Sequence, residues 1–216
     1  MTGQEFIDNA ANVLNQTATK AGFITEVLFW ANLIQDDMFI RGDWAELIRR
    51  NYKLTADGST EYDLTAALKT GAGATVSDFG RLRERSVRFN NIRLDPYAVA
   101  MLDEEDPDNS DSGTPDRFAV TGNYFIPKPY PSSGDFTLDI VITPAAIEQA
   151  TEEADISFAK QNHTIIYAGV LFMGMQRYGT KDWTTQFGIY EKMCDRALSK
   201  SGKVRHTPRN TIVNPY

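Results

Sequence analysis

The spacing of apolar residues along the chain changes twice. Phe6, Ala10, Val13 and Leu14 recur at three- and four-residue intervals behind Thr2 and Gln4-Glu5, which suit a first turn, so the opening segment is read as a helix. Gly22 is expected to break that run. A second helix is expected from about Thr25, with Val27, Leu28, Ala31, Leu33, Ile34 and Met38 as its apolar stripe. Gly42-Asp43-Trp44 punctuates it before Leu47 and Ile48. From Tyr52 to about Ile142 the chain is dense in Gly, Pro, Asp and Thr, with short apolar runs between them. Tyr52–Leu54 and Glu61–Leu64 flank Asp57-Gly58, which predicts a hairpin. Arg85–Phe89, Arg117–Thr121, Tyr124–Pro127 and Phe136–Thr143 are further strands, and Gly122-Asn123 predicts a tight turn. The alternation from Asp78 to Phe89 is imperfect, which predicts a bend or bulge. Asp95–Leu102 is read as a short helix. Helical spacing returns in Ile156, Ala159, His163, Ile166, Tyr167, Val170 and Leu171, and again in Trp183, Phe187, Tyr190, Cys194, Ala197 and Leu198. These last two segments are expected to pair as an antiparallel hairpin, with Gly169 and Gly174 permitting close helix contact.

The layout predicts an α+β fold. An antiparallel helical bundle is formed by the N- and C-terminal helices (residues 1–50 and 150–202), a β-rich insertion occupies 51–149, and an extended C-terminal tail runs over 203–216. The tail carries Lys203, Arg205 and Arg209 with no acids, then the apolar Ile212, Val213 and Tyr216. Such an extension either folds onto a partner or frays.

Composition narrows the field. The 216 residues carry a net charge of −7 and are 42% hydrophobic, an ordinary balance for a folded chain and too apolar for a disordered one. One Cys leaves no internal disulfide and no thiolate zinc site, which predicts folding in a reducing compartment. The first sixteen residues lack the basic flank and apolar run of a signal peptide, and no stretch approaches the roughly 20 apolar residues of a membrane span. The acidic balance argues against general binding to a nucleic acid backbone.

Catalytic patterns are scarce. Thr70–Thr75 is glycine-rich, but no Gly-Lys-Ser/Thr follows it, so it reads as a loop. The run from Asp103 to Asp111 holds six acids without the glycine and closing glutamate of an EF-hand, and reads as a solvated, mobile loop. His163 on a helical stripe and Cys194 on an apolar face read as buried residues. No catalytic residue, metal ligand or cofactor site is assigned. The interface candidates are of another kind. Arg81, Arg83 and Arg85 would share one face of a strand, either as a solvated face or in contact with an acidic partner surface such as a neighbouring copy's 103–111 loop. Tyr124, Phe125 and Tyr130 are taken as exposed aromatics, and Arg205, Arg209, Ile212, Val213 and Tyr216 as tail contacts.

Several stretches, in order, resemble the head-to-tail adaptor (connector) proteins of tailed bacteriophages. They are Phe29-Trp30-Ala31-Asn32-Leu33-Ile34, Asp43-Trp44-Ala45-Glu46-Leu47, the Thr55–Leu64 segment and Asp78-Phe79-Gly80-Arg81-Leu82. Gly113-Thr114-Pro115-Asp116-Arg117-Phe118, Gly122–Pro129 and Leu138–Pro144 follow. The pattern departs from the family in lacking a proline after Leu64 and in the long Gly/Ala-rich stretch from Thr65 to Ser77. The resemblance implies a non-enzymatic structural protein of the virion neck, made in the host cytoplasm. It implies a homo-oligomeric ring of twelve copies under the portal protein; glycines on the penultimate helix and the exposed aromatics would suit heterologous packing of one subunit on the next. It further implies a C-terminal tail that reaches the portal, a platform for tail or nozzle proteins, and a lumen through which DNA slides without sequence-specific binding, with no membrane involved. A tail-terminator or head-completion protein is the alternative within the virion. A carbohydrate- or ligand-binding domain using Tyr124 and Tyr130 is the alternative outside it.

Overall fold

Helix α1 (Gly3–Leu14) starts where a capping box satisfies its first free amides. Thr2 Oγ1 accepts from the Glu5 amide at 3.1 Å, and the Glu5 carboxylate accepts from the Thr2 amide at 2.8 Å. Asn15, at φ 53°, closes it. These elements belong to a computed structural model that describes residues 1–68, 78–108, 110–180 and 182–200. Helix α2 (Ala21–Arg41) begins four residues earlier than expected. Gly22 falls in its first turn, where a glycine interrupts no established helix, so it does not act as a breaker.

Helices α5 (His163–Arg177) and α6 (Trp183–Lys200) form the C-terminal pair. Phe172 packs on Trp183 and Phe187, with ring centroids 6.2 and 4.9 Å away, while Gln186 Nε2 donates to the Ala168 carbonyl. Later α5 residues therefore meet earlier α6 residues, and the pair is antiparallel. The expected helical run from Ile156 is corrected: Ile156 and Phe158 are buried in irregular chain, and a 3-10 turn (Lys160–Asn162) precedes α5. Glu46 explains the delay. Its carboxylate takes the Ala159 amide and the Asn162 side-chain amide, and Trp44 meets Phe158 edge-on at 5.5 Å. These contacts hold the segment in non-helical geometry.

Helix α5 packs against α1, α2 and α6, and so is buried nearly all round, from Ile165 through Gly174. Its two glycines allow this approach. A Cβ at Gly169 would lie 2.6 Å from Ile34 Cδ1, and one at Gly174 would lie 2.4 Å from Leu14 Cδ1.

Between α2 and α5 in the sequence the chain is β-rich. Its strands are β1 (Ile48–Ala56), β2 (Tyr62–Asp63), β3 (Phe79–Leu82), β4 (Arg88–Phe89), β5 (Ile92–Arg93), β6 (Asp95–Pro96), β7 (Arg117–Thr121), β8 (Tyr124–Lys128) and β9 (Gly134–Ile142). The short helices α3 (Leu64–Ala67) and α4 (Val99–Glu105) interrupt them. One sheet runs β1-β9-β4-β5, with β3 also pairing to β9, and the other runs β2-β8-β7-β6. All pairs are antiparallel except β6 with β7. The inner faces meet through aromatic rings: Phe125 stands 5.0 Å from Phe136, which also contacts Phe89 and Tyr62.

Three sequence expectations change here. The Asp57-Gly58 turn forms, with Gly58 at φ +89° and the Asp57 carboxylate accepting from the Ser59 amide, but it does not join a hairpin. It carries the chain from β1, paired with β9, to β2, paired with β8, because Tyr62 gains burial between the sheets. The expected Arg85–Phe89 strand shrinks to Arg88–Phe89 behind a 3-10 turn (Glu84–Ser86), and the expected bend falls there, with a bulge between Phe79 and Arg81. Asp95–Pro96 is strand, so the short helix starts at Val99. A further hairpin is present: Asn90 and Asn91, both at positive φ, form the two-residue turn between β4 and β5.

The fold is α+β, with the N- and C-terminal helices packed together and a central β-rich region. The chain divides into two compact units, Ile48–Thr143 and the remaining described residues on either side of it. Among the described residues no helix is long and apolar enough to cross a membrane.

Candidate interaction surfaces

The three arginines expected on one strand face are separated by the local backbone. Arg81 lies on β3 opposite Val141. Arg83 precedes the 3-10 turn, 3.4 Å from the Asp139 carboxylate on β9, and its carbonyl accepts from Ser86 Oγ at 2.6 Å. Ser86 Oγ in turn accepts from the Asp139 amide at 2.9 Å, which fixes the turn and removes the strand period. Arg85 is exposed within that turn. One alternating face is therefore not formed.

The aromatic candidates also divide. Tyr124 is 44% exposed at the start of β8. Phe125, one residue on, is fully buried between Phe118 and Phe136, which corrects its reading as an exposed contact. Alternation along a strand sends neighbours to opposite faces, and only one face of β8 meets the other sheet. Tyr130 is half-buried, with its hydroxyl 3.4 Å from the Ser110 carbonyl. The glycines Gly169 and Gly174 face Ile34, Leu14 and Trp30 of the same chain, so their lack of a Cβ serves the close contact of α5 with α1 and α2. Arg205, Arg209, Ile212, Val213 and Tyr216 lie outside the described residues, as do Thr70–Thr75.

Part of the acidic run is pinned rather than mobile. The Asp106 carboxylate accepts from the Ser110 and Asp111 amides at 3.0 and 3.1 Å and from Lys128 Nζ at 2.6 Å. Lys128 is itself buried, and its bond holds the Asp106 carboxyl down at about 2. Glu105 pairs with Arg117 at 2.6 Å.

Inside the helical unit several titratable groups bond one another or are buried. Arg41 bonds Asp37 at 2.5 Å and Glu191 at 2.6 Å, its guanidinium lies 5.3 Å from the centre of the Tyr190 ring, and the Tyr190 hydroxyl donates to Asp37. This network ties the end of α2 to α6. Burial pushes the Cys194 thiol up to about 12, so it is no ready nucleophile. His163 is buried with Nε2 2.9 Å from the Phe158 carbonyl, and desolvation lowers its pKa. A groove of about 610 Å³ runs past Trp44, Glu46, Asn162, Met193 and Arg196, and its acid, Glu46, is occupied by the contacts described above. Among the described residues no three His, Cys, Asp or Glu side chains gather as a metal site requires.

A surface that sequence reasoning missed lies on α2. Phe29 (57% exposed), Leu33 (36%) and Ile40 (60%) fall on one stripe, at i, i+4 and i+11. The apolar spacing puts Leu33 on the core stripe with Val27 and Ile34, whereas it is exposed. The signal was available, since α2 is apolar on more than one side, and a helix with a single buried face should not be. No protein-family model matches the chain, and comparison with curated proteins finds no match.

Proposed function

We propose that the chain is a structural head-to-tail adaptor of a tailed phage, forming a ring of twelve copies under the portal, extending the DNA channel and anchoring tail or nozzle proteins. The observation that carries the reading is the α2 stripe of Phe29, Leu33 and Ile40. Three large apolar side chains held in water on one helix face are expected of a surface that is covered in an assembly. Two of the three lie within the first stretch of the phage resemblance, Phe29 to Ile34. The order of the remaining stretches supplies the family, and the helical unit with its β-rich insertion suits it.

The test is direct. Electron microscopy of purified virions should place the protein as a ring between portal and tail; its presence only in infected-cell lysate would refute the role. Replacing Phe29, Leu33 and Ile40 together by serine should leave the subunit folded and remove it from virions. Deleting Lys203–Tyr216 should give a folded subunit that no longer docks on portal, and unchanged docking would refute that part.

A further inference from the structure

The β-rich unit carries opposite charge on its two outward faces. Residues directly opposite in an antiparallel pair share a face. Lys53 on β1 stands opposite Thr137 on β9, Thr137 opposite Arg88 on β4, and Arg88 opposite Arg93 on β5. These four residues form one row across the sheet. The adjoining row of Leu54, Phe136 and Phe89 is buried against the other sheet, so the basic row points outward. Lys53, Arg88 and Arg93 are exposed, and none of their side chains forms an ion pair or hydrogen bond with a described residue. Arg88 directly opposite Arg93 opposes folding, because like charges in a cross-strand pair repel.

The other sheet is the converse. Phe118 and Phe125 face inward, so the pair Arg117 and Lys128 faces outward. Helix α4 and the segment after it cover that face, spending Glu105 on Arg117 and Asp106 on Lys128. Asp103, Glu104, Asp108 and Asp111 remain exposed there, with carboxylates that pair with no described cation. On the first face Asp135 accepts from Thr55 and Asp139 pairs with Arg83, which leaves that face net basic through Lys53, Arg88 and Arg93. It lies across the two-sheet unit from the exposed acids around α4.

We infer that a second copy of this chain docks head to tail on the basic sheet face, setting Lys53, Arg88 and Arg93 of one copy against the acidic surface around α4 of the next. A partner of matching charge is present in the chain itself, and a net charge of −7 opposes docking of a polyanion instead. Such a contact is heterologous and leaves each copy with one free face of each sign, so further copies can add. It names the subunit contact of the proposed ring, and it rests on that reading only for closure.

Sedimentation velocity of the full chain tests the contact. The mean mass should rise with concentration in about 50 mM salt and fall to the monomer in about 0.5 M, where screening shortens the reach of charge to a few ångströms. The variants K53E/R88E/R93E and D103K/E104K/D108K should each associate at least about tenfold more weakly. An equal mixture of the two should associate again, since one then has two acidic faces and the other two basic ones. Wild-type protein that stays monomeric at low salt, or variants that associate as well as wild type, would overturn the inference. So would duplex DNA bound by wild type and lost in K53E/R88E/R93E without self-association, which would assign the face to nucleic acid. If the mixture re-associates but virions lack the protein, the adaptor reading fails and the contact stands. If virions built with K53E/R88E/R93E still contain the ring, the contact fails and the adaptor reading stands.

Discussion

Gly169→Ala tests what the central helix is for. An ideal Cβ at this position lies 2.6, 2.7 and 2.8 Å from Cδ1, Cγ1 and Cγ2 of Ile34, three atoms of one buried side chain. Ordinary carbon contacts lie near 3.5–4.0 Å, so Ile34 must retreat by roughly 1 Å. Ile34 is β-branched and strongly favours one χ1 rotamer in a helix, which leaves it little freedom to do so. Overpacking of this kind costs about 1–3 kcal/mol, against a helix-propensity gain of about 1 kcal/mol for alanine over glycine. A net loss of about 1 kcal/mol is expected. Ile34→Ala alone should cost about 2–5 kcal/mol by leaving a cavity. Because the alanine methyl at 169 would enter that same cavity, the double variant should cost at least about 1 kcal/mol less than the sum of the single changes. Urea unfolding followed by far-UV circular dichroism reads the helical unit and gives all four corners of the cycle. Strictly additive costs, or a Gly169→Ala variant that is more stable by about the propensity gain, would refute the packing account. The second result would return the glycine to the role of a contact between copies.

Three further outcomes follow from the buried polar groups. Asp37→Asn should cost about 1–3 kcal/mol in the same urea assay, because it leaves the buried Arg41 with Glu191 alone and weakens the bond from Tyr190. His163 is held neutral by burial, its pKa below the ordinary 6.5, so the unfolded chain takes up a proton that the folded chain refuses. Its contribution is present above pH 6.5 and is lost as pH falls through the lower folded value, and His163→Gln should flatten that part of the stability profile measured by thermal melts. The Cys194 thiol, buried and raised to about 12, should react with a thiol reagent at pH 8 only after denaturant is added, and prompt reaction of the native protein would contradict its placement.

What could be read without coordinates was decided by short-range energy. Thr2 and Glu5 are three residues apart, and the box they form depends on nothing else in the chain. Gly122-Asn123 turns β7 into β8 because glycine accepts positive φ at little cost. Thus the helix–β–helix order, the start of α1, strands β7 to β9 and the burial of Cys194 were all legible. Other features required knowing which surfaces meet. The Asp57-Gly58 signal was sound as a turn, yet β1 pairs with β9, with Thr55 bonded to Asp135 some 80 residues later, because burying Tyr62, Leu54 and Phe136 between two sheets outweighs a local hairpin. Alternation showed that Tyr124 and Phe125 face opposite ways, but only the second sheet decided which one is core. The same holds for α2, whose apolar sides could not be ranked until α5 covered one and left Phe29, Leu33 and Ile40 in water. It holds again for charge: six acids between Asp103 and Asp111 are visible in the sequence, but the row of Lys53, Arg88 and Arg93 is brought together by register from three separate strands. Burial and pairing are properties of two surfaces at once, and a sequence read along one dimension presents them one at a time.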